Sequence, residues 1–174
     1  MPDSTLKERL YKKPALIGYM IKCLKEKAPE KQVGKTFIQK IIYLLTKDSD
    51  LDFHYALYHY GPYSFELSHE LGFARDSGLV KIDWRDDEGY FLSTTKEMDK
   101  YNDLLSEEEK NKIEKLAYEY LQFNAKELSI VATAYFLLDH NNIDKSKLTD
   151  LINQIKPYIS KEDIREILER ASIL

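Results

Sequence analysis

The sequence predicts an α+β fold that is mostly helical: a winged-helix-like part with a short β-hairpin, packed against additional C-terminal helices. Three observations predict it. Apolar residues recur every three or four positions through most of the chain, the spacing that lines one face of a helix. One stretch, residues 79–92, alternates instead and is interrupted by a glycine turn. Finally, 43% apolar and 32% charged residues over 174 positions suit a soluble, ordered chain with one core. A single domain is expected over 1–174, with 14–92 as the winged part and 105–170 as the helical part packed on it.

Residues 14–27, "PALIGYMIKCLKEK", predict a helix with Pro14 in its first turn, where a missing N–H costs nothing. Ile17, Met20, Ile21 and Leu24 form its inner stripe, and Cys23 beside them reads as a small buried side chain. Residues 35–46 predict a second helix with Phe37, Ile38, Ile41, Ile42, Leu44 and Leu45 inward and Lys35, Gln39, Lys40 and Lys47 outward. "FHYALYHY", residues 53–60, reads as one strand ended by Gly61-Pro62. Ser64 then caps a helix over 65–76 whose inward residues are Phe65, Leu67, Leu71 and Ala74, and Gly78 ends it. The hairpin follows, with its turn at 86–89 and Gly89 in the left-handed region. Ser106 with Glu109 predicts a capping box, and residues 126–139 a helix apolar nearly all round. Leu148 to Ile155 make a shorter helix closed by Pro157, and Ser160 with Asp163 caps a last one.

Composition narrows the function classes. A single cysteine excludes a disulfide framework within the chain and a cysteine-rich zinc knuckle. "MPDSTLKERL" has no apolar stretch, so no signal peptide is expected. The longest strongly apolar run, 128–138, is too short for a membrane span. No membrane role is expected, and a cytoplasmic location is. Thirteen tyrosines against one tryptophan point to a half-buried core or a contact surface, because tyrosine packs a ring while its hydroxyl stays near water.

Charge is uneven. Residues 7–47 hold eleven Lys or Arg against three Glu, a balance of +8 in a chain of net −4. Such a block can attract phosphate or an acidic partner. A winged helix normally puts its second helix in the major groove and its wing on the backbone. Here that helix carries Glu66, Glu70 and Asp76 against Arg75, and the wing tip reads "RDDEG", the wrong sign for phosphate. The alternative, a DNA-binding regulator, would use Lys22, Lys25, Lys27, Lys31 and Lys35 of the N-terminal third.

No reactive constellation stands out. His54 and His59 differ by five and point to opposite faces of a regular strand, and "DSDLD" lacks the spacing of a calcium loop, so no metal and no cofactor are expected. There is no GxSxG, HExxH or phosphate-binding glycine loop, and no catalytic residue is assigned. A small hydrolase with an unrecognised site is kept as a second alternative, which turnover lost on a Ser64, His69 or Glu66 variant would favour. The stretch "YHYGPYSFELSHELG" then reads as a junction in which Gly61, Pro62 and Ser64 shape the chain and the rings fill the angle. Either it is structural alone, or it also recognises a partner. In the second case Tyr60 and Tyr63, flanked by Glu66 and Glu70, are the candidate interface.

Three stretches carry a family resemblance: "FIQKIIYLLTK", "YHYGPYSFELSHELGFARDSGLV" and the tail "IKPYISKEDIREIL". Together they resemble small prokaryotic proteins typified by YwgA and, more loosely, the Panacea (SocA-like antitoxin) domain. The resemblance covers about Lys35 to Leu168. It implies a mostly helical fold with a winged-helix-like part and no established reaction. The Panacea association further implies an antitoxin-like, protein-binding role. The expected function is therefore a non-catalytic interaction or regulatory module that binds a protein partner, a second copy of the chain included.

Overall fold

A computed structural model of the chain describes residues 4–174. Its helices are α1 (Ser4–Lys27), α2 (Lys35–Lys47), α3 (Phe65–Asp76), α4 (Glu107–Tyr120), α5 (Ala125–Asn141), α6 (Leu148–Ile155) and α7 (Lys161–Arg170). Two small antiparallel hairpins sit among them, β1 (Ala56–Tyr58) with β2 (Gly61–Tyr63), and β3 (Val80–Arg85) with β4 (Gly89–Thr94). Helix α2 is the centre. It packs on α5, α4 and β2, while α1 packs on α3, α4, β4 and a 3-10 helix over Lys96–Leu104. The core is continuous, running from Ile17 and Met20 through Phe37, Ile41 and Ile42 to Val131, Ile152 and Leu168.

Local chemistry sets most element ends. Ser64 Oγ accepts from the Leu67 N–H at 3.1 Å and starts α3. At its other end Gly78 takes φ +79, its N–H reaching the Arg75 carbonyl and the Leu79 N–H the Ala74 carbonyl. That pair of bonds satisfies two orphan carbonyls and turns the chain straight into β3. Gly89, at φ +91, closes the second hairpin, whose 86–88 turn is exposed. Reciprocal capping boxes start α4 (Ser106 with Glu109) and α5 (Asn124 with Glu127).

Four expectations need correction. Helix α1 begins ten residues before Pro14, which stands inside it. Pro14 brings no N–H to the ladder, so the preceding turns are held from outside: Tyr11 packs between Phe73 and Tyr101, and Lys12 donates to the Leu104 carbonyl at 2.8 Å. Residues 53–60 are not one strand. The chain reverses at His59-Tyr60, pairing Tyr58 with Gly61 and Leu57 with Pro62, so Gly61-Pro62 opens the second strand instead of ending the first. Phe65 points outward, 67% exposed. Two residues are 200° on a helix, which puts Phe65 opposite the Leu67, Leu71 and Ala74 face. Last, Gln39 and Lys40 are buried, at 5% and 1% exposure, because α2 is covered on that side by the first hairpin. Backbone polar groups of the hairpin face α2 there, and polar side chains answer them.

Candidate functional site

The first hairpin and the cap after it, residues 56–65, form the most elaborated surface of the molecule. Its backbone is gripped from beneath. Lys40 Nζ donates to the Pro62 carbonyl at 2.7 Å. The Gln39 amide bridges Ser64, donating to its carbonyl and accepting its N–H, both at 2.9 Å. Lys156 Nζ, just past α6, donates to the His59 carbonyl at 3.1 Å, and the Ser129 hydroxyl of α5 to the Tyr60 carbonyl. A buried carbonyl left without a donor costs roughly 1–3 kcal/mol, so these bonds fix the turn as a unit. Gly61 completes the fit. It sits at φ +97 against α5, and a Cβ there would lie 2.6 Å from Thr133 Oγ1 and 3.2 Å from the Ser129 carbonyl.

Lys40 and Lys156 are an unusual pair. Both are 1% exposed, and among the described residues neither forms an ion pair. Burial pushes the Lys40 ammonium down to about 8, and the nearby Lys156 cation adds to the effect. Burial alone brings Lys156 to about 8. Two cations thus lie under the hairpin, partnered by backbone oxygens.

The outer side is aromatic. Tyr58 meets Tyr63 and Phe65 edge-on at 5.8 and 5.7 Å, and Tyr63 meets Phe65 at 5.1 Å. His59 stands edge-on to Tyr60 at 5.0 Å and stacks on Tyr158 at 6.3 Å. Tyr58, Tyr60, Phe65 and Tyr158 are 48–67% exposed. Edge-to-face pairs hold such rings in place while leaving their faces open.

Of the residues singled out in the sequence, Gly61, Pro62 and Ser64 form the buried inner side of this element and Tyr60 and Tyr63 belong to its aromatic outer side. Glu66 turns away. Its carboxylate pairs with Lys13 and approaches His54 at 3.6 Å, and the Lys13 hydrogen bond holds it below the usual carboxylate range. Glu70 is half-buried, and that burial raises its carboxyl. The lysines of the N-terminal third are occupied internally. Lys22 pairs with Asp99 at 2.6 Å, Lys25 donates to the Pro29 and Lys31 carbonyls, and Lys31 donates to the Phe123 carbonyl. Lys27 lies over the Tyr118 ring and Lys35 over Tyr90. Of these five only Lys22 has a carboxylate partner; the others keep their charge while bonded to carbonyls or lying over rings.

Among the described residues no group of three or more His, Cys, Asp and Glu side chains could hold a metal ion, and no helix is long and apolar enough to cross a membrane. Cys23 is buried, which pushes its thiol up to about 11. Gln39, Lys40, Ser129, Thr133 and Lys156 were not readable as site residues one by one. Gln39 and Lys40 come from α2 and Lys156 from just past α6. These distant segments converge on the first hairpin and its cap. A scan of this chain against protein-family models finds no match, and a search of curated proteins finds none either.

Proposed function

We propose that this chain is a non-catalytic, protein-binding interaction module whose contact surface is the aromatic outer side of residues 58–65 with Tyr158. One observation carries the reading: exposed rings in edge-to-face contact sit on a backbone that buried polar side chains hold rigid. Rings fixed before binding lose little freedom on contact, which is why tyrosine and other aromatics dominate interface energetics. In this reading α1, α2, α3 and the β3–β4 hairpin form the winged-helix-like part. The family resemblance supports a regulatory, antitoxin-like role.

The competing readings have less behind them. A DNA-binding role would draw on Lys22, Lys25, Lys27, Lys31 and Lys35, but Lys22 is paired with Asp99, Lys25 and Lys31 are bonded to backbone carbonyls, and α3 and the β3–β4 turn carry Glu66, Glu70, Asp86, Asp87 and Glu88. A hydrolase acting through Ser64 has least behind it, because that side chain is fully buried as a helix cap, and Glu66 is paired with Lys13.

The test is paired measurement on Tyr60→Ala, Phe65→Ala and the double variant. Partner capture by the double variant is expected to fall by about 2 kcal/mol, some 30-fold. Thermal melting should stay within a degree or two, since both side chains are exposed. Capture that survives in the double variant would refute the reading. Tyr63→Ala, half-buried between Tyr58 and Phe65, should lower both capture and melting temperature.

A further inference from the structure

Tyr60 divides two cavities. One, of about 320 Å³, lies between the start of α5 and the loop after α6, with Lys126, Ser129 and Tyr158 on its walls. The other, of about 170 Å³, lies between α2 and α3, with an apolar floor of Ile38, Leu67 and Leu71 and with Lys35 and Lys40 beside it. Thr36 and Tyr60 border both. Among the described residues no acidic side chain lines either one. That is notable in a chain with thirty Asp and Glu and a net charge of −4. Elsewhere lysines such as Lys12, Lys13, Lys22 and Lys47 have carboxylate partners. Among the described residues Lys35, Lys40 and Lys126 have none, as is true of most lysines of the chain, and Lys35 lies over the Tyr90 ring with its charge intact. Lys40 uses one of its three ammonium donors on the Pro62 carbonyl.

We propose that this groove receives an acidic segment of a partner polypeptide, an aliphatic side chain entering the smaller cavity and carboxylates meeting Lys35 and Lys126 at the rims. The proposal rests on the hairpin being a protein-contact surface and adds the charge and shape of what it contacts. Charge complementarity selects the occupant: walls with three lysines and no carboxylate favour an anion. The apolar floor selects a peptide over a nucleic acid, because Ile38, Leu67 and Leu71 offer nothing to a phosphate. The acidic turn Asp86-Asp87-Glu88 and the negative net charge also repel a long polyanion while costing a short peptide little.

The experiment is selection from a random-peptide display library on the purified full chain, run in parallel on Tyr60→Ala and on Lys35→Glu/Lys126→Glu. Each variant is first checked for an unchanged melt. Wild-type chain is expected to enrich peptides with Asp or Glu next to an aliphatic residue, and both variants to lose them. A recovered peptide should bind about tenfold more weakly once its acidic residues become Gln or Asn. Enrichment of neutral peptides that need Tyr60 would overturn the acidic groove and leave the aromatic surface standing. Peptides recovered equally well on Tyr60→Ala, or no enrichment at all, would overturn both. Displacement of the recovered peptide by a random-sequence DNA duplex bound through Lys35 and Lys126 would overturn the proposal in favour of nucleic acid.

Discussion

Gly61→Ala is expected to lower the unfolding free energy by about 3 kcal/mol, the largest effect of any single methyl group in the hairpin. Two costs add. At φ +97 an L side chain is strained by roughly 1–2 kcal/mol. The new Cβ would also stand 2.6 Å from Thr133 Oγ1, with a backbone carbonyl behind it at 3.2 Å. Thr133 is fully buried and its hydroxyl already donates to the Ser129 carbonyl at 2.7 Å, so it has little room to retreat. Pushing the turn outward instead would stretch the bonds from Lys40, Ser129 and Lys156 together. Gly72→Ala is the control, since a Cβ there meets nothing within 4 Å. Denaturant unfolding of both variants checks the expectation. A Gly61→Ala protein as stable as Gly72→Ala would mean that the hairpin is not seated against α5.

Between pH 7 and 9.5 the wild type should gain stability relative to a Lys40→Met/Lys156→Met variant, of order 2 kcal/mol for each lysine. The sign follows from which state holds more protons. In the folded chain burial lowers both ammonium groups from 10.5 to about 8. From pH 8 to 10.5 the unfolded chain therefore keeps protons that the folded chain has released, and stability rises with pH. The cost of burying the two charges is fully present below pH 8 and relieved above it. A neutral amine still donates to a carbonyl, so the hold on His59 and Pro62 survives. Burial of Cys23 and Tyr43 raises their pKa values and works the other way at the alkaline end, so the comparison with the double variant isolates the lysines. Urea unfolding across this range checks it, and parallel pH profiles would show that the two side chains are not buried as cations.

Signals that act within a few residues were legible in the sequence. Ser64, Gly78, Gly89 and the Ser106–Glu109 box each do what their local chemistry dictates. The site was harder, because it is made by distant segments. Gln39 and Lys40 occupy polar positions of an amphipathic pattern and read as solvated. What reverses that reading is a hairpin some twenty residues on, whose carbonyls need donors. Phe65 fails for the opposite reason: its apolar ring suggests an inward position, but its angle to Leu67 turns it out to solvent. The 53–60 stretch has the composition of one strand, and its reversal at His59-Tyr60 depends on Lys156 and Ser129, about seventy to one hundred residues away.

Site-specific photo-crosslinking in the native cell tests the central claim most directly. A benzophenone side chain is placed in turn at Tyr60, at Phe65 and at Tyr118, an equally accessible ring on α4 away from the hairpin. The account predicts one discrete polypeptide adduct from Tyr60 and Phe65 and none from Tyr118. Adducts of equal yield from all three positions, or none from Tyr60 and Phe65, would contradict it.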